Sequence, residues 1–95
     1  MKTNYKYNYA ILFYDIKEKR VNKVFKVCKK YLKHHQKSVF RGYITPANLL
    51  ELKKELNRVI VKNEDFITII KLFSKDSFEE ETLGKTGNPG ESIFI

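Results

Sequence analysis

An α+β fold in the order β-α-β-β-α-β is what this sequence predicts, and three observations carry it. The first is Tyr9-Ala10-Ile11-Leu12-Phe13-Tyr14-Asp15-Ile16, where every residue except Asp15 is apolar or aromatic. β-Branched and aromatic residues suit a pleated, buried surface, so this stretch reads as a central strand. The second is Phe66 to Phe73, a run of the same kind near the end of the chain. The third is a pair of helical patterns, each lying between strand patterns and making two βαβ halves of similar length. Right-handed crossovers then place both helices on one face of a four-stranded antiparallel sheet, the ferredoxin-like sandwich. The other sheet face is left bare, and a homodimer burying sheet against sheet is the simplest way to cover it.

Tyr5, Tyr7 and Tyr9 alternate with Lys6 and Asn8, so the first strand is expected to start as early as Tyr5 and to run to Tyr14. It is apolar on both faces, with Tyr9, Ile11 and Phe13 on one and Ala10, Leu12 and Tyr14 on the other. From Lys19 to Lys33, Val21, Val24, Phe25, Cys28, Tyr31 and Leu32 recur at helical spacing, with Lys19, Lys23, Lys26, Lys30 and Lys33 on the opposite side. Cys28 falls in the apolar stripe and reads as a buried, inert thiol. His34 to Ile44 reads as two short antiparallel strands, or one sharply bent one, with the break near Lys37-Ser38 and Gly42 marking a bulge or a close backbone approach. Thr45-Pro46 announces the second helix, Thr as N-cap and Pro at the first helical position. Leu49, Leu52, Leu56, Val59 and Ile60 form its buried stripe, and Lys62-Asn63-Glu64-Asp65 is the turn out of it.

Residues 1–75 are thus expected to form the ferredoxin-like domain, and residues 76–95 a C-terminal loop with a short extra strand. The loop carries the acids of Asp76-Ser77-Phe78-Glu79-Glu80-Glu81, then Gly84, Gly87, Pro89 and Gly90. Ile93-Phe94-Ile95 is an apolar segment suited to adding to a sheet edge, of this chain or of a partner. Gly84-Lys85-Thr86 resembles the end of a phosphate-binding loop, but that motif needs a Gly where Glu79 stands.

Composition narrows the function. The chain has 95 residues, 42% hydrophobic and 32% charged, which is globular rather than disordered. Its longest apolar run, Tyr9 to Tyr14, is far short of the roughly 20 residues of a membrane span, and no leader-type segment is visible. A single cysteine excludes an internal disulfide, and a cytoplasmic location is expected. The net charge of +8 is uneven: residues 17–41 hold ten basic residues against one acid, Glu18. A localised basic field favours polyanions, above all nucleic acid, through counterion release. The lysine face of the first helix (Lys23, Lys26, Lys30) and Arg41 are the expected grip on phosphates.

Candidate chemistry centres on Asp15. One Cys and two adjacent His residues offer no zinc-type spacing, and neighbouring strand residues point apart, so His34 and His35 cannot share a metal. Solvent or bound nucleic acid is the expected surrounding of both. Three roles for Asp15 stand open on the residues alone. It caps the following helix, or it pairs with Arg20, or it is a hard oxygen ligand for Mg²⁺ completed by a second copy across a dimer axis.

Tyr14-Asp15-Ile16 closing the first strand, the basic helix after it, Gln36-Lys37-Ser38-Val39-Phe40-Arg41-Gly42 and Thr45-Pro46-Ala47 together resemble the family of CRISPR-associated protein two. The likeness runs in order over about residues 9–73, and the Gly-rich tail with its apolar end is similar too. It implies a ferredoxin-like homodimer of CRISPR adaptation, the antiviral spacer-acquisition machinery, with Asp15 of each copy facing the other across the two-fold axis. It implies metal-dependent endonuclease activity on single-stranded RNA or on DNA or, alternatively, a non-catalytic scaffold that binds duplex DNA and bridges dimers of the CRISPR integrase subunit. Residue by residue, Asp15 would be the Mg²⁺ ligand with Tyr14 its catalytic neighbour, Arg20 and Lys23 would contact phosphates, and Ser38 and Phe40 would shape the site. Many members carry Arg followed by a hydrophobic residue before the Gln, where this chain has His34-His35, so that arginine has no counterpart here.

Overall fold

The computed structural model describes residues 7–84. The strands β1 (Tyr9–Asp15), β2 (Lys33–Gln36), β3 (Val39–Tyr43) and β4 (Phe66–Leu72) alternate with helices α1 (Glu18–Tyr31) and α2 (Pro46–Val59) as the sequence predicts. They form one sheet in the order β2-β3-β1-β4 with every neighbouring pair antiparallel. β1 is therefore central, paired on one side with β3 (Leu12 opposite Phe40) and on the other with β4 (Leu12 opposite Ile69). A short 3₁₀ turn, Lys75–Ser77, follows β4. The expected start of β1 at Tyr5 falls outside the described residues, as does the Ile93-Phe94-Ile95 segment.

Alternation along β1 divides the molecule. Ala10, Leu12 and Tyr14 join Val24, Cys28, Leu32, Phe40, Ile44, Leu49, Leu52 and Leu56 in one core between the sheet and both helices. The apolar stripes of both helices bury as expected. Burial pushes the Cys28 thiol up to about 12, so it stays protonated and acts as a small hydrophobe. α1 ends two residues earlier than the sequence pattern suggests, because the chain turns extended at Leu32 and Lys33 enters β2. α2 begins as read, with the Asn48 amide donating to Thr45 Oγ1 at 3.1 Å and Pro46 in the first turn.

Lys37 and Ser38 form the turn between β2 and β3, with Lys37 in the left-handed region at φ +44°. The bulge falls between His34 and Gln36, on the strand opposite Gly42. Gly42 itself has a φ of +156°, and a Cβ there would sit 3.6 Å from the Lys33 backbone nitrogen. That is an ordinary contact distance, so the position asks for glycine through its φ and not through a close approach, and the bulge belongs to its neighbour strand.

The sheet face away from the helices is not bare along its whole length. Tyr9 and Ile11 are buried there, because the chain returns over this face after β4. The Phe78 ring lies 6.4 Å from that of Tyr9, and Arg41 donates to both carboxylate oxygens of Glu80 at 2.8 Å. His35, expected in solvent or on a ligand, is buried on the same side with Nε2 4.0 Å from Glu80. What remains open lies toward the β4 side, where Phe66 is 51% and Ile70 41% exposed.

Candidate functional site at the end of the central strand

Asp15 is the last residue of β1, directly opposite Phe66 at the start of β4. The register places it with Phe13, Thr68 and Ile70 on the sheet face away from the helices. It is exposed.

Two of the three roles open to Asp15 are overturned. The N-cap position of α1 is Lys17, with no side-chain cap. Arg20 turns instead to the loop after α2, its Nε donating to Asp65 Oδ2 at 2.6 Å and its Nη2 to Glu64 Oε1 at 2.7 Å. Asp65 also accepts from the Lys17 amide at 2.9 Å and the Val61 amide at 2.8 Å. Its side chain has no exposed surface. The Arg20 guanidinium holds the Asp65 carboxyl far below the usual carboxylate range, against the opposing effect of burial, and lowers Glu64 as well. Asp65 is thus the structural acid at this end of the sheet. Sequence reasoning passed over it as a turn residue, although Glu64-Asp65 before a strand and Arg20 opening a helix are complementary charges. With Asp65 in that position, Asp15 is left free for another use.

The remaining site residues are spread over both faces. Tyr14 points into the helix-side core, 7% exposed, its ring stacked at 6.3 Å on that of Phe40. Burial raises its hydroxyl pKa, with a smaller contribution from Cys28. Phe40 is completely buried in that core. The structure therefore does not bring Tyr14 or Phe40 beside Asp15, since adjacent strand residues face opposite ways. Ser38 is near in the other sense: its carbonyl accepts from the Tyr14 amide at 3.2 Å, which ties the β2–β3 turn to the end of β1.

Of the cations expected on phosphates, Arg20 and Arg41 are held by carboxylates, and Lys30 pairs with Glu55, which also accepts from the Tyr31 hydroxyl. Lys23 and Lys26 stand exposed on the outer side of α1. Among the described residues, none of their neighbours forms an ion pair with them.

Mg²⁺ takes oxygen donors and keeps several waters, so an exposed carboxylate suits it. No group of three His, Cys, Asp or Glu side chains comes together among the described residues, so Asp15 has no second protein ligand for a metal within the chain.

An antiparallel sheet of two split βαβ halves, with an exposed carboxylate ending its central strand, defines a ferredoxin-like α+β protein whose free acid lies at a sheet end. The family model of CRISPR associated protein Cas2 matches residues 8–80, and the chain belongs to that family. It is 41% identical to the CRISPR-associated endoribonuclease Cas2 of Thermotoga maritima over 87 residues, 92% of this chain and 98% of that one. It is 40% identical to the CRISPR-associated endoribonuclease Cas2 of Pyrococcus furiosus over 86 residues, 90% of this chain and 99% of that one. A crystal structure of Cas2 superposes with a TM-score of 0.81 at 38% identity, over 93% of this chain and 99% of the other. No helix among the described residues is long and apolar enough to cross a membrane.

Proposed function

We propose that this chain is a Mg²⁺-dependent endonuclease of CRISPR adaptation that acts on RNA or DNA as a homodimer. The observation that carries the reading is Asp15, a solvent-facing carboxylate released from capping and ion pairing by Asp65 and set beside an open apolar surface. The names of the relatives support an RNA substrate in particular.

Phe66 and Ile70 of each copy would meet over the open face, bringing the two Asp15 side chains to one axis. The paired Asp15 carboxylates would hold Mg²⁺, which supplies Lewis acidity toward the phosphoryl oxygen and a more acidic bound water. Lys23 and Lys26 would bind flanking phosphates without reading bases.

A second reading is a non-catalytic scaffold that grips duplex DNA and bridges dimers of the CRISPR integrase subunit. The lysine face of α1 favours it, because those cations lie away from Asp15, on the helix layer. One experiment separates the two. Asp15→Asn should reduce Mg²⁺-dependent cleavage of labelled RNA and DNA to the level seen in EDTA while duplex affinity in a gel-shift titration stays the same. Cleavage that survives both the substitution and EDTA would sink the enzyme reading and leave the scaffold.

A further inference from the structure

At the opposite end of β1 from Asp15 lies a cleft of about 560 Å³, within the size range of small-ligand sites. Tyr9, which lines it, and Asp15 are six positions apart along β1, about 20 Å at roughly 3.3 Å per residue. The cleft opens where the chain leaves α1 and β2 begins, and it is lined by the last turn of α1, the end of β3 and Lys75 beyond β4. Five of its lining residues are cationic: Lys29, Lys30, Lys33, Arg41 and Lys75. Glu55 and Glu80 neutralise Lys30 and Arg41. Lys29 sits in the last turn of α1, over the Phe25 ring at 5.8 Å, where it also offsets the negative end of the helix. Lys33 and Lys75 lie outside the helix, are exposed, and are tied to no carboxylate among the described residues. Beside them stands Tyr43, 60% exposed, its ring held upright by an edge contact with Tyr9 at 5.1 Å and 83°.

Ammonium groups without a carboxylate partner, next to a braced and exposed aromatic ring, form a pairing suited to a nucleotide: cations for phosphate, a ring face for the base. We propose that this cleft binds a terminal phosphomonoester nucleotide, with Lys33 and Lys75 on the phosphate and the base stacked on Tyr43. A phosphomonoester carries close to two charges at neutral pH where an internal phosphodiester carries one, so a strand end is favoured over the strand interior. The proposal rests on the chain binding nucleic acid and is independent of Asp15 as a metal ligand.

The test is fluorescence anisotropy of the full chain in EDTA, using a short 3′-labelled single strand with either a 5′-phosphate or a 5′-hydroxyl. The phosphorylated strand should bind about tenfold more tightly. Lys33→Ala with Lys75→Ala should erase that difference, and Tyr43→Ala should weaken the phosphorylated strand about tenfold or more. Asp15→Asn should leave the preference unchanged, and Lys23→Ala with Lys26→Ala should weaken both strands equally. Competition with adenosine monophosphate distinguishes the source: displacement at concentrations matching those of a 5′-phosphorylated trinucleotide assigns the cleft to free nucleotides, and much weaker displacement assigns it to strand ends. Equal binding of the two labelled strands, or a preference that survives the double lysine variant, would overturn the proposal. Failure to bind either strand would instead count against the nucleic-acid reading as a whole.

Discussion

Asp15 and Asp65 stand near the same end of the sheet and illustrate how surroundings decide what a carboxylate does. Asp65 is buried, accepts two backbone amides and faces a guanidinium, so its negative charge is part of the fold. Its folded-state pKa lies well below the unfolded value of about 3.9. The sign follows: a depressed pKa contributes stability in full above the unfolded value, and that contribution is lost as pH falls through it toward the folded one. Thermal melts from pH 7 to pH 2 should therefore show the midpoint falling below about pH 5. Asp65→Asn should lower the midpoint at pH 7 by more than roughly 5 °C and flatten that acid-side decline. A variant that keeps the wild-type slope would assign the acid sensitivity to other groups. Asp65 was not singled out from sequence, because its partner is 45 residues away and complementary charges alone do not say which acid meets which base.

At the scale of elements, α1 presents two unlike surfaces. Val24 and Cys28 are sealed in the core, while Lys23 and Lys26 project outward. Replacing Lys23, Lys26 and Lys30 with Ala should lower the salt dependence of duplex binding by roughly one unit of log–log slope for each phosphate that is no longer neutralised. Lys30, tied to Glu55, should contribute less to that change than the other two. An unchanged slope would reduce the lysine face to a solubilising role. Elements were the most legible part of this sequence. Helical stripes, the Thr45-Pro46 start and the Lys37-Ser38 break are local patterns, and local periodicity is what a sequence displays directly. The C-terminal segment was the least legible. Glu79 to Glu81 read only as acids of a loop, and only the fold shows Glu80 clasping Arg41 over the sheet. Side-chain direction was legible in principle: strand alternation alone separates Tyr14 from Asp15, and the motif likeness that grouped them ignores it.

For the whole molecule, the open part of the sheet is where packing is incomplete in a single chain. Phe66, opposite Asp15, and Ile70, four residues further along the same face, are both exposed, an arrangement that suits a surface closed by a second copy. Phe66→Lys combined with Ile70→Lys should shift sedimentation velocity toward the monomer and abolish Mg²⁺-dependent cleavage together. Asp15→Asn should lose cleavage alone. A double variant that sediments as the wild type does would place the self-association surface elsewhere. The expectation of a bare face came from right-handed crossovers that put both helices on one side, in agreement with the two-sided apolar β1, and it holds for the part of the face near Asp15. The opposite end is roofed by the chain itself.

The Arg20–Asp65 pair has a further consequence for the rhythm of the molecule's motions. The amides of Lys17 and Val61 belong to connecting segments, and such amides ordinarily trade their hydrogens with water freely. Here both donate to one buried carboxylate, so each can open only when the clasp between the two halves opens. Two loop positions should thus exchange their amide hydrogens slowly and together, which an exchange time course would show as protection at Lys17 and Val61 that Asp65→Asn removes.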